Sequence, residues 1–434
     1  MKKLVYVPMA ADLIHPGHLN IIKEASKLGH VMVGLYTDEA IASYKRVPFM
    51  NYAQRKIIVE GLKGVDEVVP QHEKEYEVNL LKYKPSFLVH GDDWKEGPLS
   101  KGRKQAIEMM KAWGGEVIEP QYTKDISSTK LNKSLKELGI LPQIRLASLR
   151  KILRTKPIIR GIESHSGLSA MAVENANFKD DEGINQSFDF MWLSSLTDSS
   201  SKGKPDIEFV DLTSRISTVN DILEVSTKPI IYDGDTGSQI PHFAMMVKRL
   251  ERLGVSAVVI EDKIGLKKNS LLEGKKAKHS QDSIENFCEK IRAGKRSQLT
   301  DDFMIIARIE SLILEMGMDD AINRAKAYIN AGADGIMIHS RQKDGKEILE
   351  FCRLYNSFEK RRFLMVVPTN YPSLSEDDLQ KAGVNIIVYA NQLLRAAYSA
   401  MLETAQSILK HKRSLEADKN YIKVLDLISL IKEN

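Results

Sequence analysis

The sequence has few cysteines and no long apolar run. Only two of its 434 residues are cysteine, Cys288 and Cys352. A disulfide framework is therefore excluded, and a reducing, cytoplasmic setting is expected. Both cysteines fall in helical patterns and are interpreted as buried structural thiols. The longest apolar runs, such as residues 303–306 and 385–390, are far shorter than the roughly 20 residues of a bilayer span, so no membrane association is expected.

Neither a secretion signal nor a nucleic-acid-binding patch is expected. The first residues contain two lysines, but their apolar run is short, interrupted by Pro8 and followed by Asp12, as is typical of a first strand. The net charge is +5, with both signs interspersed. Because no basic tail or aromatic-studded basic stripe occurs, no nucleic-acid partner is expected. Anionic small molecules are compatible with this charge.

A chain of this length exceeds one ordinary hydrophobic core, which predicts two domains or more. Its first part alternates short apolar segments with amphipathic helical ones, the pattern of a parallel sheet covered on both faces. The predicted strands are residues 4–7, 31–36, 67–69, 86–90 and 116–118. Five such strands predict a doubly wound parallel sheet.

A helical stretch rich in Lys, Leu and Arg, residues 128–155, separates this part from the next, and Gly139 and Pro142 interrupt it. We place the domain boundary there, giving domains 1–140 and 141–434.

The second alternation is longer and more regular. Its predicted strands are residues 158–162, 188–193, 229–233, 257–261, 304–309, 335–339, 364–367 and 386–389. Eight strands, each followed by a helical segment, predict a (β/α)8 barrel, which is favoured over an open α/β sheet. Extra C-terminal helices are expected at residues 393–411 and 422–432.

Polar residues follow the barrel strands where each apolar run stops, and catalytic groups of this fold lie at those ends. Asp233, Asp235 and Glu261 form a hard-oxygen set suited to Mg²⁺, although Asp235 alone could be a helix cap. Arg308 offers a planar fork for carboxylate or phosphoryl oxygens, and His339 offers a hydrogen-bond donor.

The joint set of motifs resembles phosphoenolpyruvate mutases, of the isocitrate lyase/phosphoenolpyruvate mutase superfamily. The segment EDKIGLKKNS at residues 261–270 is similar to their signature. The other motifs are IESHSGLSA at 162–170, DGDTG at 233–237, ARIE at 307–310, GADGIMIHS at 332–340 and VPTNY at 367–371. The resemblance covers roughly residues 145–434.

This resemblance implies isomerisation of phosphoenolpyruvate and phosphonopyruvate with Mg²⁺. The implied catalytic residues are Asp206, Lys267, Asn269, Arg308 and His339, and the implied substrate-binding residues are Trp192, Ser194, Ser195 and Leu196. The metal site would be Asp233, Asp235 and Glu261. The loop from 264 to about 280, with five lysines and two glycines, is expected to close over the substrate and exclude water.

Two related chemistries remain as alternatives, phosphonopyruvate hydrolysis and carbon–carbon lysis. The lyases of the superfamily carry a cysteine base in the loop after the fourth strand, where this sequence has none. The hydrolases place a different residue at the position of Asn269.

The first domain carries His15-Pro16-Gly17-His18 after its first strand. Two imidazoles at a helix N-terminus can hold phosphate oxygens, while a helix cap and a metal pair are alternatives. Together with HGDDW at 90–94 and ISSTK at 126–130, the motif resembles cytidylyltransferases of the glycerol-phosphate and phosphoethanolamine type. The nucleotide-binding residues implied are His15, His18, Lys45, Arg55, Asp92, Trp94, Ser127, Ser128 and Thr129.

The chain is thus expected to be a bifunctional phosphonate-biosynthesis enzyme whose first domain transfers CMP from CTP to a small phosphonate. The run Met9-Ala10-Ala11-Asp12 departs from the cytidylyltransferase pattern, so a nucleotide-sensing or assembly role of this domain is the alternative. The resemblance also implies a homo-oligomer formed through the barrel, with its last helices packed on a neighbour.

Overall fold

The structure, a computed structural model, describes residues 2–95, 99–120, 141–265, 267, 269–270, 280–418 and 421–430. Its N-terminal part is a five-stranded parallel sheet of order β3-β2-β1-β4-β5. The strands are β1 (Leu4–Met9), β2 (His30–Tyr36), β3 (Glu67–Gln71), β4 (Phe87–Val89) and β5 (Glu116–Ile118). The helices are α1 (Pro16–Ser26), α2 (Asp38–Ala42), α3 (Tyr52–Glu60), α4 (Glu77–Tyr83) and α5 (Ser100–Ala112), with a 3₁₀ turn at Asp92–Lys95. The predicted doubly wound parallel sheet is confirmed.

Residues 159–389 contain a closed barrel of eight parallel strands, so the predicted (β/α)8 barrel is confirmed too. Its strands are β6 (Ile159–Glu163), β9 (Phe190–Leu193), β10 (Ile230–Asp233), β11 (Ala257–Glu261), β14 (Met304–Ile309), β15 (Gly335–Ile338), β16 (Phe363–Val366) and β17 (Ile386–Tyr389). The last strand pairs with the first, Ile386 opposite Ile159. All eight carboxyl ends therefore open toward the same side.

The barrel helices are α6 (Pro142–Thr155), α7 (Gly167–Asn175), α8 (Ser195–Ser201), α9 (Leu212–Val225), α10 (Ile240–Arg252), α11 (Ile284–Ser297), α12 (Met318–Asn330), α13 (Lys346–Tyr355) and α14 (Glu376–Lys381). Two antiparallel pairs were not predicted, β7 (Asn177–Lys179) with β8 (Asn185–Ser187) and β12 (Lys263–Ile264) with β13 (Ser280–Gln281). At two or three residues per strand, they are too short to give an alternation signal.

Strand residues alternate between the barrel interior and the surrounding helices. In β11, Ala257 and Val259 belong to an apolar cluster that takes residues from all eight strands, whereas Val258 and Ile260 pack toward the helices. The interior cluster also contains Leu149 and Leu153 of α6. This helix therefore closes the amino-terminal end of the barrel, and the carboxyl ends of the strands are left for a site.

Helix α6 also contacts the N-terminal part of the chain, since Lys151 Nζ donates to the carbonyl of Phe49 at 2.5 Å. Its first residue is Pro142. The N–H groups of the first helical turn have no intrahelical acceptor, so proline at this position loses no hydrogen bond.

The chain continues past the barrel in two helices, α15 (Gln392–His411) and α16 (Val424–Ser429). None of their residues is buried, and exposed apolar side chains on them include Tyr398, Met401, Leu409 and Leu425. Within the described residues, none of the helices has the length and apolar character needed to cross a membrane.

Candidate active site

A cavity opens at the carboxyl ends of the barrel strands. It is lined by Trp192, Ser194, Ser195, Leu196, Asp206, Asp233, Glu261, Lys267, Asn269, Ser270, Arg308, Met337, His339, Val367, Thr369, Ala390 and Asn391. Eleven of the twelve barrel site residues predicted from the sequence are in this set. The twelfth, Asp235, is connected to it through Lys267.

The turn after β10 fixes the first two carboxylates. Asp233 Oδ2 accepts hydrogen bonds from the backbone N–H and the hydroxyl of Ser195, at 3.1 and 2.8 Å. Asp235 adopts a left-handed conformation with φ 55°, which aspartate tolerates better than most residues. Arg215 Nη1 donates to Asp235 Oδ2 at 2.9 Å and to the Asp233 carbonyl at 2.6 Å. Burial alone would raise the pKa of Asp233, but the positive charges of Lys267, Arg215 and Arg308 outweigh it and lower that pKa to about 2.

Lys267 and Asn269 enter the cavity from the segment between β12 and β13. The Lys267 ammonium donates to Asp235, to Ser195 Oγ and, at 3.0 Å, to Asp206 Oδ1. Asn269 Nδ2 donates to the other Asp206 oxygen at 2.8 Å. Although burial opposes its charge, Asp235, Asp233 and Asp206 keep the pKa of Lys267 above its usual value. A positive group therefore lies among these carboxylates.

Arg308 is held by Glu310, two residues further along the chain. Its Nε donates to Glu310 Oε1 at 2.5 Å, and its Nη2 donates to Ser270 Oγ at 2.7 Å. Arg308 Nη1 also lies 3.5 Å from Glu261 Oε2. Burial raises the pKa of Glu261 to about 7, despite the attraction of Arg308 and Lys263. Glu310 and Ser270 were not among the predicted site residues, although the period of two along a strand places Glu310 on the same face as Arg308.

Four polar atoms of cavity-lining residues are buried and have no hydrogen-bond partner among the described residues. Three are the donor groups Trp192 Nε1, His339 Nδ1 and Thr369 Oγ1. The fourth is Glu261 Oε1, which lies 3.2 Å from the Lys263 ammonium. Burial, with the nearby charge of Arg308, lowers the pKa of His339 to about 3, so its ring is neutral at physiological pH. Because buried polar groups are usually paired, the three donor groups indicate a ligand rich in oxygen.

The predicted magnesium site can be tested against this donor set. In the described part of the chain, no group of three or more His, Cys, Asp or Glu side chains is close enough together to hold a metal directly. Mg²⁺ usually keeps several waters and takes only one or two carboxylates from the protein. The hard oxygens of Asp233 and Asp235, already beside the ammonium of Lys267, fit such a hydrated cation.

The N-terminal sheet has its own polar cluster where β1 ends. The His15 and His18 rings lie with centroids 4.0 Å apart at the start of α1. Their ring nitrogens accept local backbone N–H groups, at 3.2 Å for His15 and 3.4 Å for His18. Burial, then the charges of His15 and Lys45, lowers the pKa of His18 to about 3. The predicted set His15, His18 and Lys45 is thus close in space, and Lys45 is exposed.

Two predicted nucleotide-binding side chains are fully buried. Arg55 donates to the carbonyls of Met50 and Ala10 and to Asp38 Oδ1. Trp94 stacks on His90, with centroids 4.2 Å apart, and donates its indole N–H to Glu119 at 2.6 Å. Both side chains are 0% exposed. In this conformation they therefore bond within the protein and are not open to a ligand.

Asp92 lies at the 3₁₀ turn, with one carboxylate oxygen 3.8 Å from Lys95 Nζ. Ser127, Ser128 and Thr129 lie outside the described residues. Arg46, which the sequence did not single out, pairs with Asp12 at 2.6 Å in the same region. A single arginine in a loop carries no periodic signal, which is why it was missed.

The C-terminal domain is thus a barrel with a charged cavity at the carboxyl ends of its strands, the place where enzymes of this fold have their active sites. Residues 149–409 match the family model of phosphoenolpyruvate phosphomutase, and residues 10–134 match that of cytidylyltransferase-like proteins. The chain belongs to the phosphoenolpyruvate phosphomutase family and has an N-terminal cytidylyltransferase-like domain.

Individual proteins of known function are similar to this chain over the barrel region. A phosphoenolpyruvate phosphomutase of Tetrahymena pyriformis is 34% identical over 287 residues, which cover 66% of this chain and 91% of the relative. The structure of the same enzyme from Streptomyces platensis subsp. rosaceus is 32% identical, with a TM-score of 0.61 and coverage of 66% and 94%. A phosphonopyruvate hydrolase solved with oxalate and Mg²⁺ is also 32% identical, with a TM-score of 0.58 and the same coverage.

Proposed function

We propose that the barrel interconverts phosphoenolpyruvate and phosphonopyruvate. In the phosphonate-forming direction the bond from phosphorus to the enol oxygen breaks, a bond from phosphorus to C3 forms, and the enol oxygen becomes a ketone oxygen. The arrangement that supports this proposal is the convergence of Asn269, Arg308 and His339 on one cavity with unpaired buried polar atoms. Such a transfer depends mainly on positioning and on charge stabilisation.

The proposed roles follow from charge and hydrogen-bonding capacity. Arg308 supplies a fixed positive fork and His339, being neutral, supplies a hydrogen-bond donor, so both are assigned to the phosphoryl oxygens. Trp192 and the backbone of Ser194, Ser195 and Leu196 are assigned to the pyruvate-like part. Mg²⁺, which Asp233, Asp235 and Glu261 would hold through water, supplies charge neutralisation for the oxygens of the substrate.

Asp206, Lys267 and Asn269 are assigned to one unit. Since Asn269 and Lys267 both donate to the Asp206 carboxylate, the unit orients the amide of Asn269 toward the moving phosphoryl group. The amide can orient a phosphoryl group without activating water, which favours isomerisation over hydrolysis.

Phosphonopyruvate hydrolysis is the alternative, because a mutase of known structure and a hydrolase of known structure are each 32% identical in sequence to this chain. The two activities differ in products. With Mg²⁺ and phosphonopyruvate, ³¹P NMR should show phosphoenolpyruvate forming without free phosphate. Dominant release of phosphate with pyruvate would show that the barrel is a hydrolase.

For residues 1–140 we propose transfer of CMP from CTP to a small phosphonate. A phosphonate oxygen attacks the α-phosphorus of CTP, the bond from that phosphorus to the bridging oxygen breaks, and pyrophosphate leaves. The rings of His15 and His18 at the N-terminus of α1 supply donors for phosphate oxygens, and Lys45 supplies charge. The second domain would then begin at residue 141.

His18→Ala should weaken CTP binding at least about tenfold, the effect of losing one hydrogen bond to a charged group, and leave the isomerase rate unchanged. Isothermal titration of CTP with Mg²⁺ measures the first quantity. His30→Ala is the matched control, since His30 lies at the opposite end of the strands and is partly exposed. Wild-type protein that binds no CTP would contradict the nucleotide role, and binding without transfer would favour a sensing module.

We also propose that the chain forms a homo-oligomer in which α15 and α16 pack on another copy. All large apolar side chains of α16 are exposed, among them Leu425, Leu427 and Ile428, and such surface is commonly buried in an interface. A light-scattering mass equal to one chain at micromolar concentration would contradict this.

A further inference from the structure

A buried carboxylate next to the cavity receives hydrogen bonds from four groups. Asp262 is 0% exposed. Its Oδ1 accepts the backbone N–H of Glu310 at 2.9 Å. Its Oδ2 accepts from the Tyr328 hydroxyl at 2.7 Å, from Gln281 Nε2 at 2.9 Å and from Arg324 Nη1 at 3.2 Å. Asp262 is absent from the cavity lining, so it does not touch the substrate position.

The hydrogen bond from Gln281 to Asp262 joins the two ends of the segment that carries Lys267 and Asn269. Asp262 directly precedes β12, and Gln281 lies in the paired strand β13. The backbone adds a second link, because the N–H of Asp282 donates to the Asp262 carbonyl at 2.8 Å. Asp262, next to β12, is therefore bonded to β13 at Gln281 and to the following residue, Asp282, and these bonds fix the two strands relative to each other.

The hydrogen bond from the Glu310 backbone to Asp262 links this carboxylate to Arg308. The backbone of Glu310 is held by Asp262, and the side chain of Glu310 accepts from Arg308 and, at 2.7 Å, from Ser270 Oγ. A shift of Asp262 would move the carboxylate that orients Arg308.

Helix α12 supplies the support from outside the barrel. Arg324 and Tyr328, one turn apart on its buried face, both reach Asp262 and contact each other at 2.9 Å. Arg324 also donates to the Asp282 carbonyl at 2.8 Å and to Asp320 at 2.8 Å. A buried carboxylate requires such donors to remain charged.

We propose that Asp262, held by Arg324 and Tyr328, is a positioning unit that keeps the β12–β13 pair and the end of β14 in register. It thereby brings Lys267 and Asn269, from one element, and Arg308, from another, to the same cavity. The catalytic consequence rests on the proposed isomerase function. The positional consequence does not.

The test removes one donor and keeps the packing. Tyr328→Phe should raise amide hydrogen exchange in β12 and β13 about tenfold in ligand-free protein, because a hydrogen bond to a charged group is lost. It should lower isomerase kcat about tenfold and increase the share of turnover that ends in free phosphate. Gln281→Leu, which removes a donor on β13 itself, should change exchange and product share in the same direction.

Tyr355→Phe is the matched control. Tyr355 is a fully buried tyrosine of the neighbouring helix α13, and its hydroxyl donates to the Arg362 carbonyl at 3.1 Å, away from Asp262. It should leave exchange in β12 and β13 and the product share unchanged. Equal exchange in the Tyr328 variant and wild type, or an equal increase in the Tyr355 variant, overturns the positioning role. Failure of the wild type to isomerise would reject the proposed function alone, and hydrogen exchange would still decide the role of Asp262.

Discussion

Arg308→Ala is expected to lower kcat/KM for phosphonopyruvate isomerisation by at least about 100-fold, because it removes a charge-assisted partner of the moving phosphoryl group. Arg308 is largely buried and is held from two sides, by Glu310 and Ser270. Its charge is therefore preorganised. Steady-state kinetics with phosphonopyruvate and Mg²⁺ measure the loss.

Two further variants show whether the fork or the charge alone is needed. Arg308→Lys keeps the charge and loses the planar fork, so it should recover only part of the rate. Arg353→Ala is the control, since Arg353 is exposed and pairs with Glu350 on the surface of α13. A rate for Arg308→Ala close to that of wild type would remove Arg308 from the site.

Asn269→Ala should lose most isomerase activity, and the residual turnover should shift toward phosphate release. The amide of Asn269 is held by Asp206 at 2.8 Å, next to Lys267, so its removal takes away one of the donors that orient the phosphoryl group and opens space for water. Measuring phosphoenolpyruvate and phosphate together by ³¹P NMR gives both quantities in one experiment.

The alternative is that Asn269 only stabilises its segment. Alanine would then lower the melting temperature and leave the product ratio unchanged. Asn175→Ala, at the exposed end of α7, controls for loss of an asparagine elsewhere. Unchanged turnover and unchanged products in Asn269→Ala would contradict the role proposed here.

The sequence by itself determined the two folds and most of the barrel cavity. Eight apolar runs, each followed by a helical segment, predicted the closed barrel because strand and helix periods are local properties of the chain. The polar residues that follow these runs, such as Asp233, Glu261 and His339, were then placed together by a general rule of parallel barrels. Eleven of the predicted residues line the cavity. Among them, Asp206, Lys267 and Asn269 were implied by the resemblance to phosphoenolpyruvate mutases and not by this rule.

Only the tertiary structure decided how side chains share their hydrogen bonds. Arg55 and Trp94 match a nucleotide-binding pattern, yet both are 0% exposed and bonded within the protein. Conversely, Arg324 and Tyr328 look like ordinary helix residues, yet they hold Asp262, which lies 62 and 66 positions earlier in the chain. Periodicity reports which face of an element is buried. The partner that a buried polar group finds depends on contacts between segments far apart in the chain, and these exist only once the chain has folded.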